Sequence, residues 1–297
     1  MLINIIGFLG TVIGLASDGI SIYDFFSKKS TDRIESNIKT EIGEGVQFLF
    51  LTSSLSRPEQ IADDSLLKLP GVVHSSFVKT EDWENAKDEI RDTKECLCAR
   101  PDKGTLIVTA DGVNLCGLFL FGWYMDHRRW DILFTPLHGR KEMFPLEGRL
   151  GKADPHFLSP RMEAPTIGSD GKYDAIALRV VVNANAAAHD MIPGETFLNS
   201  EREKGRFTKA YNMSFTSTQM IAPTTDLAEA CYYIAKSLRE KRSDMDLFSH
   251  HNVPVYIFLN VLAAGAISLG MQLGNEHNLR VCAFANETKE YYLAFEI

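Results

Sequence analysis

Several short motifs that mark enzymes are absent from this sequence of 297 residues. There is no Gly-x-x-x-x-Gly-Lys-[Ser/Thr] phosphate loop, which excludes ATP hydrolysis by that machinery. There is no Gly-x-Ser-x-Gly elbow either, since Gly265 to Gly270 has the wrong spacing and places Ser268 inside a predicted helix. The glycines of that helix come after its first turn, so they indicate packing on a sheet rather than a dinucleotide fingerprint.

Cysteine is also scarce, with five residues in the chain. Cys96 and Cys98 lack a second Cys or His pair at zinc-like spacing, so the sequence predicts no metal site. Cys116 lies in an apolar helical pattern, where a thiol is usually inert packing. We therefore predict no catalytic residues, and a hydrolase with unrecognised residues is one alternative. The odd number of cysteines suggests no disulfide framework and favours the reducing cytoplasm.

An excess of basic residues is missing as well. The formal net charge is -8, from 31 Lys and Arg against 39 Asp and Glu. Because duplex binding depends on neutralising phosphates, an acidic chain is a poor candidate for wrapping DNA or RNA. A small nucleotide held by local groups remains compatible with this charge. With 45% hydrophobic residues, the chain can form a sizeable core.

One long uncharged run is present at the N-terminus, from Leu2 to Ala16. It lacks the basic region that precedes a secretory signal sequence. Extended to residue 26 it reaches the length of a membrane span, but it then includes Asp18 and Asp24. We predict an apolar helix over residues 1–29 that either attaches the chain to the inner membrane through residues 2–26 or packs against protein.

The rest of the chain alternates apolar strands with helices, which is typical of α/β proteins. Thr105–Thr135 and Val255–Ala285 each read as strand, small-residue helix, short turn and strand, and each is 31 residues long. This match predicts two similar lobes joined by a link rich in Gly and Pro. The predicted organisation is an N-terminal helix at 1–29, a first lobe at 30–147, a link at 148–173 and a second lobe at 174–297.

The individual elements follow from the period and boundaries of the apolar runs. Strands are predicted at 46–51, 105–109, 131–135, 175–182, 255–259, 279–284 and 291–295, with a further strand inside 208–220. Helices are predicted at 31–42, 81–97, 113–125, 226–239 and 261–273.

The second half of the chain resembles the C-terminal half of SAVED domains, which sense cyclic oligonucleotides in bacterial antiviral defence. The likeness rests on the apolar strands, on Leu269-Gly270 near a helix end and on Glu287-x-x-x-x-Tyr292. It covers residues 170–297, and residues 45–140 in outline. Many members carry His near the position of Tyr256 and a Pro after the strand, whereas this chain has Asn260-Val-Leu-Ala there.

The resemblance implies an α/β fold of two fused Rossmann-like lobes, related to the CARF sensors of CRISPR systems and preceded by the apolar helix. It implies a sensor without catalytic activity and without a cofactor, whose ligand is an adenine-containing cyclic oligonucleotide bound between the lobes. That ligand would come from a partner nucleotidyltransferase, as in CBASS systems, or from a CRISPR polymerase. Binding would assemble copies of the chain into a filament or ring, and the N-terminal helix would act at the membrane. An adaptor that docks a separate effector is the other alternative.

Loops at the ends of the predicted strands carry the candidate ligand contacts, because open α/β sheets bind ligands at the carboxyl ends of their strands. Hydroxyls and arginine suit phosphates, amides suit adenine edges, and a charged loop with an aromatic ring adds charge and stacking. The candidates with hydroxyl or guanidinium groups are Thr52, Ser53, Ser54, Arg57 and Thr109. The candidate amides are Asn183, Asn185 and Asn260, and the charged loop contains Lys204, Arg206 and Phe207. Taken singly, Ser or Asn after a strand is more often a turn or helix-cap residue.

Overall fold

The chain forms two mixed sheets and the helices that cover them, as seen in a computed structural model. The structure describes residues 46–52, 66–68, 80–84, 86–88, 90–92, 104–111, 113–125, 130–134, 144–146, 158–162, 173–182, 194–217, 225–245, 253–285 and 288–297. The helices predicted at 1–29 and 31–42 lie outside these ranges. Within them, no helix is both long and apolar enough to cross a membrane.

The first sheet comprises β1 (Val46–Thr52), β2 (Leu66–Lys68), β3 (Gly104–Asp111), β4 (Trp130–Phe134) and β5 (Phe144–Pro145). Their order in space is β2-β1-β3-β4-β5. The first four strands run parallel, and β5 is antiparallel to β4.

The second sheet comprises β6 (Leu158–Met162), β7 (Ala175–Val181), β8 (Ala210–Ser217), β9 (Val255–Asn260), β10 (Leu279–Ala285) and β11 (Glu290–Glu296). Their order in space is β11-β10-β9-β7-β8-β6. The four inner strands are parallel, and β6 and β11 are antiparallel to their neighbours. Every residue of β7 is buried, as expected for a strand in the interior of a covered parallel sheet.

The α-helices α1 (Leu115–Tyr124), α2 (Glu195–Glu203), α3 (Thr225–Met245) and α4 (Ala263–Gln272) pack against these sheets. Asn114 caps α1, because its side-chain oxygen accepts a 2.9 Å hydrogen bond from the backbone N–H of Cys116. A 3-10 helix at Thr80–Trp83 replaces the start of the helix predicted at 81–97. Trp83, Ala86 and Ile90, which recur at helical spacing in this segment, are buried.

The two sheets share one order of parallel strands. In each, the first parallel strand is central, the second lies on one side, and the third and fourth lie on the other. This is the doubly wound order 2-1-3-4 of flavodoxin-like and Rossmann-like proteins. The predicted α/β class with two Rossmann-like lobes is therefore confirmed. The segment predicted as a link contains β6, which pairs with β8 at the edge of the second sheet.

The lobes share one apolar core, in which α1 and α4 pack directly against each other. Glycines permit the close approach: a Cβ at Gly122 would lie 2.1 Å from the carbonyl oxygen of Ile267, and one at Gly270 would lie 2.1 Å from that of Phe119. The Ser268 hydroxyl adds a 2.6 Å hydrogen bond from α4 to the backbone of Leu146 beside β5. Gly270, which the sequence assigned to packing on a sheet, thus mediates the helix–helix contact between the lobes.

A buried ion pair anchors α3 to the second lobe. Arg242 is fully buried and donates to a Glu276 carboxylate oxygen at 2.8 Å, and to the backbone carbonyls of Val253 and His277 at 2.9 Å. Arg239, which is more exposed, donates to the other Glu276 oxygen at 2.9 Å. Because Val253 and His277 precede β9 and β10, Arg242 fixes the amino ends of both strands to α3.

Candidate functional site

Each lobe has one topological switch point, where the strand order reverses between its first and third parallel strands. In the first lobe this point lies between β1 and β3, whose register pairs Thr52 with Asp111 and Phe50 with Thr109. Thr52 and Thr109 therefore lie at the carboxyl ends of adjacent parallel strands, the position at which open α/β sheets bind ligands. Ser53, Ser54 and Arg57 follow Thr52 outside the described residues.

The second switch point lies between β7 and β9 and contains Asn260. Val181 pairs with Asn260, and the backbone N–H of Val182 donates to the Asn260 carbonyl at 3.0 Å. The Asn260 residue is exposed, unlike the rest of β9. The predicted candidates Asn183 and Asn185 follow β7 outside the described residues.

An aromatic residue that the sequence analysis missed lies next to Asn260. The paired register of β9 and β10 ends at Phe258 and Cys282. Continuing each strand by two residues places Asn260 and Phe284 at neighbouring positions on the same face of the sheet. Phe284 is 39% exposed, although large apolar side chains are usually buried. An amide and an open aromatic ring thus stand together at the switch point.

Residues of five neighbouring strands form a continuous row across the second sheet, at the carboxyl ends of its parallel strands. We call this row the rim; its members, in spatial order, are Thr216, Val181, Asn260, Phe284 and Tyr291. The Tyr291 ring lies 5.2 Å from that of Phe284 and 5.2 Å from that of Phe258 beneath it. Burial raises the pKa of Tyr291 to about 12, so its hydroxyl stays protonated and can donate a hydrogen bond. The rim therefore offers hydroxyl, amide and aromatic groups side by side.

A buried arginine lies one row below the rim. Arg179 on β7 pairs with Ser214 and Phe258 in the sheet register. Its guanidinium donates to a carboxylate oxygen of Glu195 at 3.0 Å and to the side-chain oxygen of Asn212 at 2.5 Å. It also lies 5.8 Å from the centre of the Phe258 ring. A full positive charge is thus held just beneath the candidate site.

Helix α2 covers this arginine and begins against the aromatic residues. Gly194, which precedes α2, has a φ of 79°, and a Cβ there would lie 2.0 Å from the Phe258 ring. Glycine is therefore required both for the left-handed backbone and for the close approach. The first residue of the helix, Glu195, is the partner of Arg179.

The loop predicted to add charge and stacking lies at the amino ends of the parallel strands, opposite the rim. Lys204, Arg206 and Phe207 come between α2 and the amino end of β8, whereas Asn260 lies at the carboxyl end of β9. A strand of seven residues spans about 23 Å, so the two groups are not brought together. Phe207 is buried against Tyr256, with ring centres 5.3 Å apart, and the Lys204 ammonium pairs with Glu201 at 2.8 Å.

Asp174 holds the end of that loop in place. Its two carboxylate oxygens accept the backbone N–H groups of Thr208 and Lys209 at 2.7 and 2.8 Å. Partial burial raises the pKa of the Asp174 carboxyl, but these hydrogen bonds outweigh it and lower the pKa below its ordinary value. The loop is therefore fixed by the start of β7.

The described part of the chain offers little to covalent or metal chemistry. It contains no group of three or more His, Cys, Asp or Glu residues that could hold a metal ion. Cys116 is buried as predicted, and burial raises the pKa of its thiol, like that of Cys231, to about 12. At neutral pH these thiols are protonated and poor nucleophiles.

The two switch points are connected through the packed helices. Helix α1 begins four residues after Asp111 and α4 begins three residues after Asn260. The two helices touch where Phe119 of α1 meets Gly270 of α4. Along the axis of α1, Phe119 lies about 6 Å from the start of the helix. Gly270 is about 10 Å from the start of α4, so the two starts lie within about 25 Å of each other.

No protein-family model matches the sequence, and no curated protein sequence matches it either. Solved structures match by fold. The Acinetobacter baumannii Cap4 SAVED/CARF-domain containing receptor with the cyclic trinucleotide 3'3'3'-cAAA has a TM-score of 0.59 and 11% identity, over 84% of this chain and 52% of that chain. The same receptor with 2'3'3'-cAAA has a TM-score of 0.59 and 12% identity, over 90% and 54%.

The Moraxella osloensis Cap4 SAVED/CARF-domain containing receptor has a TM-score of 0.55 and 12% identity, over 91% of this chain and 54% of that chain. This chain spans about half the length of these receptors. At such low identity the likeness concerns the fold. The chain has a SAVED/CARF-like fold, which confirms the fold that the sequence resemblance predicted.

Proposed function

We propose that the chain is a sensor module that binds a cyclic oligonucleotide. The observation that carries this proposal is the pair of Asn260 and Phe284, exposed side by side at a topological switch point. An amide side chain can form two hydrogen bonds with an adenine edge, and an open aromatic ring provides a surface on which a base stacks. The likeness to receptors solved with cyclic trinucleotides of adenine supports an adenine-containing ring as the ligand.

The ring would bridge both lobes. The starts of α1 and α4 lie within about 25 Å of each other, so a ligand that extends from one switch point approaches the other. In this arrangement the second lobe reads a base through Asn260 and Phe284, with Asn183 and Asn185 as further amide donors. The first lobe contacts phosphates through Thr52, Ser53, Ser54, Arg57 and Thr109.

The module would act by binding rather than by catalysis. The protonated thiols of Cys116 and Cys231 support this view, because neither is a competent nucleophile in its buried position. Turnover of a labelled ring, followed over hours at excess protein, distinguishes a sensor from a ligand-degrading enzyme.

Ligand binding is tested by thermal unfolding and calorimetric titration with a panel of cyclic di-, tri- and tetranucleotides. A ring present at 100 times its Kd adds about 2.7 kcal/mol to stability, which raises Tm by about 4 °C. Asn260→Ala and Phe284→Leu are each expected to weaken binding of that ring about tenfold, since a bidentate base contact or a base stack contributes about 1–3 kcal/mol.

Met162→Ala is the matched control. Met162 is the other large apolar side chain that is exposed among the described residues, at 43%, but it lies on β6 away from the rim. It should leave the affinity unchanged. A panel in which no ring raises Tm would contradict the proposed function, and equal losses from Met162→Ala and Phe284→Leu would contradict the role of the rim.

We further propose that the ligand assembles copies of the chain into a filament or ring, and that residues 2–26 then act at the membrane. Weak membrane contacts become strong when many copies are held together. Sedimentation velocity is expected to shift to larger species only when the active ring is added. Flotation with liposomes should follow the same ligand dependence and be lost on deletion of residues 1–27; flotation without ligand would contradict the coupling.

A further inference from the structure

The ion pair between Arg179 and Glu195 is unequal in exposure. The Arg179 side chain is 3% exposed, whereas the Glu195 side chain is 55% exposed. The arginine is fixed in the sheet, over Phe258 and beside Asn212. The glutamate reaches it from the first turn of α2, and its exposed side chain can rotate into solvent.

The pair lies next to the proposed binding site. Arg179 is two residues before Val181 on the same strand and on the same face, one row below the rim. Its sheet neighbour Phe258 lies beneath the ring of Tyr291, which in turn contacts Phe284. A ligand seated on the rim would therefore bring its backbone close to the Glu195 carboxylate that covers Arg179.

A carboxylate and a phosphate can each bind the Arg179 guanidinium in the same way. A guanidinium presents paired N–H donors that match the oxygens of a carboxylate or of a phosphate. Stripping a buried guanidinium of its counter-anion is costly, but replacing a carboxylate by a phosphate keeps the charge paired throughout. Exchange of one anion for the other thus avoids an unpaired buried charge.

We propose that Arg179 contacts a phosphate of the ligand and that Glu195 is the internal competitor for that contact. This inference rests on the proposed binding of a cyclic oligonucleotide. The phosphate replaces the Glu195 carboxylate on Arg179, and the first turn of α2 is released from β7. Ligand affinity is then set partly by the strength of the internal ion pair, and α2 reports occupancy of the site.

Three variants test this competition, each titrated with the panel of rings. Glu195→Gln removes the competing charge and is expected to tighten binding threefold to tenfold. Arg179→Met is expected to weaken it about tenfold or more, with Tm measured to establish that the variant is folded. The informative result is the double variant, in which Glu195→Gln should give no gain when Arg179 is absent.

Glu203→Gln is the matched control, because Glu203 is exposed on the same helix at its other end. It removes the same charge from α2 and should leave affinity unchanged. If wild type binds a ring and Glu195→Gln binds it equally or more weakly, the competition is overturned while the proposed function stands. If neither protein binds any ring, both are overturned. An equal gain from Glu195→Gln with and without Arg179 also overturns the competition, since it would reflect general charge alone.

Discussion

The Gly270→Ala variant is expected to lose about 3 kcal/mol of unfolding free energy, at the upper end of the usual cost of overpacking. A Cβ at Gly270 would lie 2.1 Å from the carbonyl oxygen of Phe119 and 2.9 Å from the backbone nitrogen of Trp123. Both atoms belong to the backbone of α1, so no side-chain rotation can make room. Gly122→Ala should be comparably harmful, because it meets the Ile267 carbonyl oxygen at 2.1 Å.

Gly265→Ala provides the control on the same helix. The nearest atoms to its Cβ would be Leu227 Cδ1 at 3.3 Å and Val261 Cβ at 3.4 Å, which are close to ordinary contact. Alanine also favours a helix over glycine by up to about 1 kcal/mol, so this variant should be neutral or slightly more stable. Denaturant unfolding of both variants measures the difference. Equal stabilities would show that the close crossing of α1 and α4 is wrong.

The second large effect is expected from Arg242→Met. The substitution removes the hydrogen bonds to Val253 and His277 and leaves the buried Glu276 carboxylate with Arg239 as its remaining ion-pair partner. Breaking a buried ion pair by removing one partner typically costs about 3–5 kcal/mol, and a loss near the lower end is expected here because Arg239 remains. Thermal and denaturant unfolding measure the loss.

Two further variants separate charge from packing at this position. Arg239→Met removes the more exposed partner of Glu276 and should cost only about 1 kcal/mol. Arg242→Met combined with Glu276→Gln should recover part of the stability lost by Arg242→Met alone, since the buried carboxylate that has lost one of its two partners is then replaced by a neutral amide. A double variant less stable than Arg242→Met would indicate that Glu276 acts through other contacts.

The inner strands and the buried helices were predictable because their signal is local. The strand predicted at 175–182 is β7 at Ala175–Val181, and the helix predicted at 261–273 is α4 at Ala263–Gln272. These segments are buried on nearly all sides, so they read as short continuous apolar runs bounded by polar residues. Their common order in the two halves of the sequence predicted the two lobes.

Helix α2 and strand β6 were not predictable in the same way. Only two of the nine residues of α2, Phe197 and Leu198, are large and apolar, and its position depends on the distant Arg179. Strand β6 contains Pro160 and is largely exposed at the sheet edge, where proline is tolerated. Both elements are stabilised by contacts with residues distant in the sequence, and neither has a clear hydrophobic pattern of its own.

The candidate site was predicted in part. The strand-end rule identified Asn260, but Phe284 became visible only through the register of β9 and β10, because a single exposed phenylalanine has no sequence signature. The prediction also included Lys204, Arg206 and Phe207 as a charged loop with an aromatic ring. That loop lies at the opposite ends of the strands, because an unpredicted helix carries the chain across the sheet. Whether the individual residues contact a ligand stays a prediction.

The contact between α1 and α4 also governs how the protein can be made. Seven successive residues of α1, Cys116–Gly122, are buried, and the helix that covers them is encoded about 150 residues later. At about 5–20 residues per second, a ribosome needs roughly 8–30 s to reach α4 after finishing α1. For that interval a nearly all-apolar helix lacks its native cover. Until α4 is made, the apolar surface of α1 that α4 will cover is exposed to aggregation and to chaperone binding.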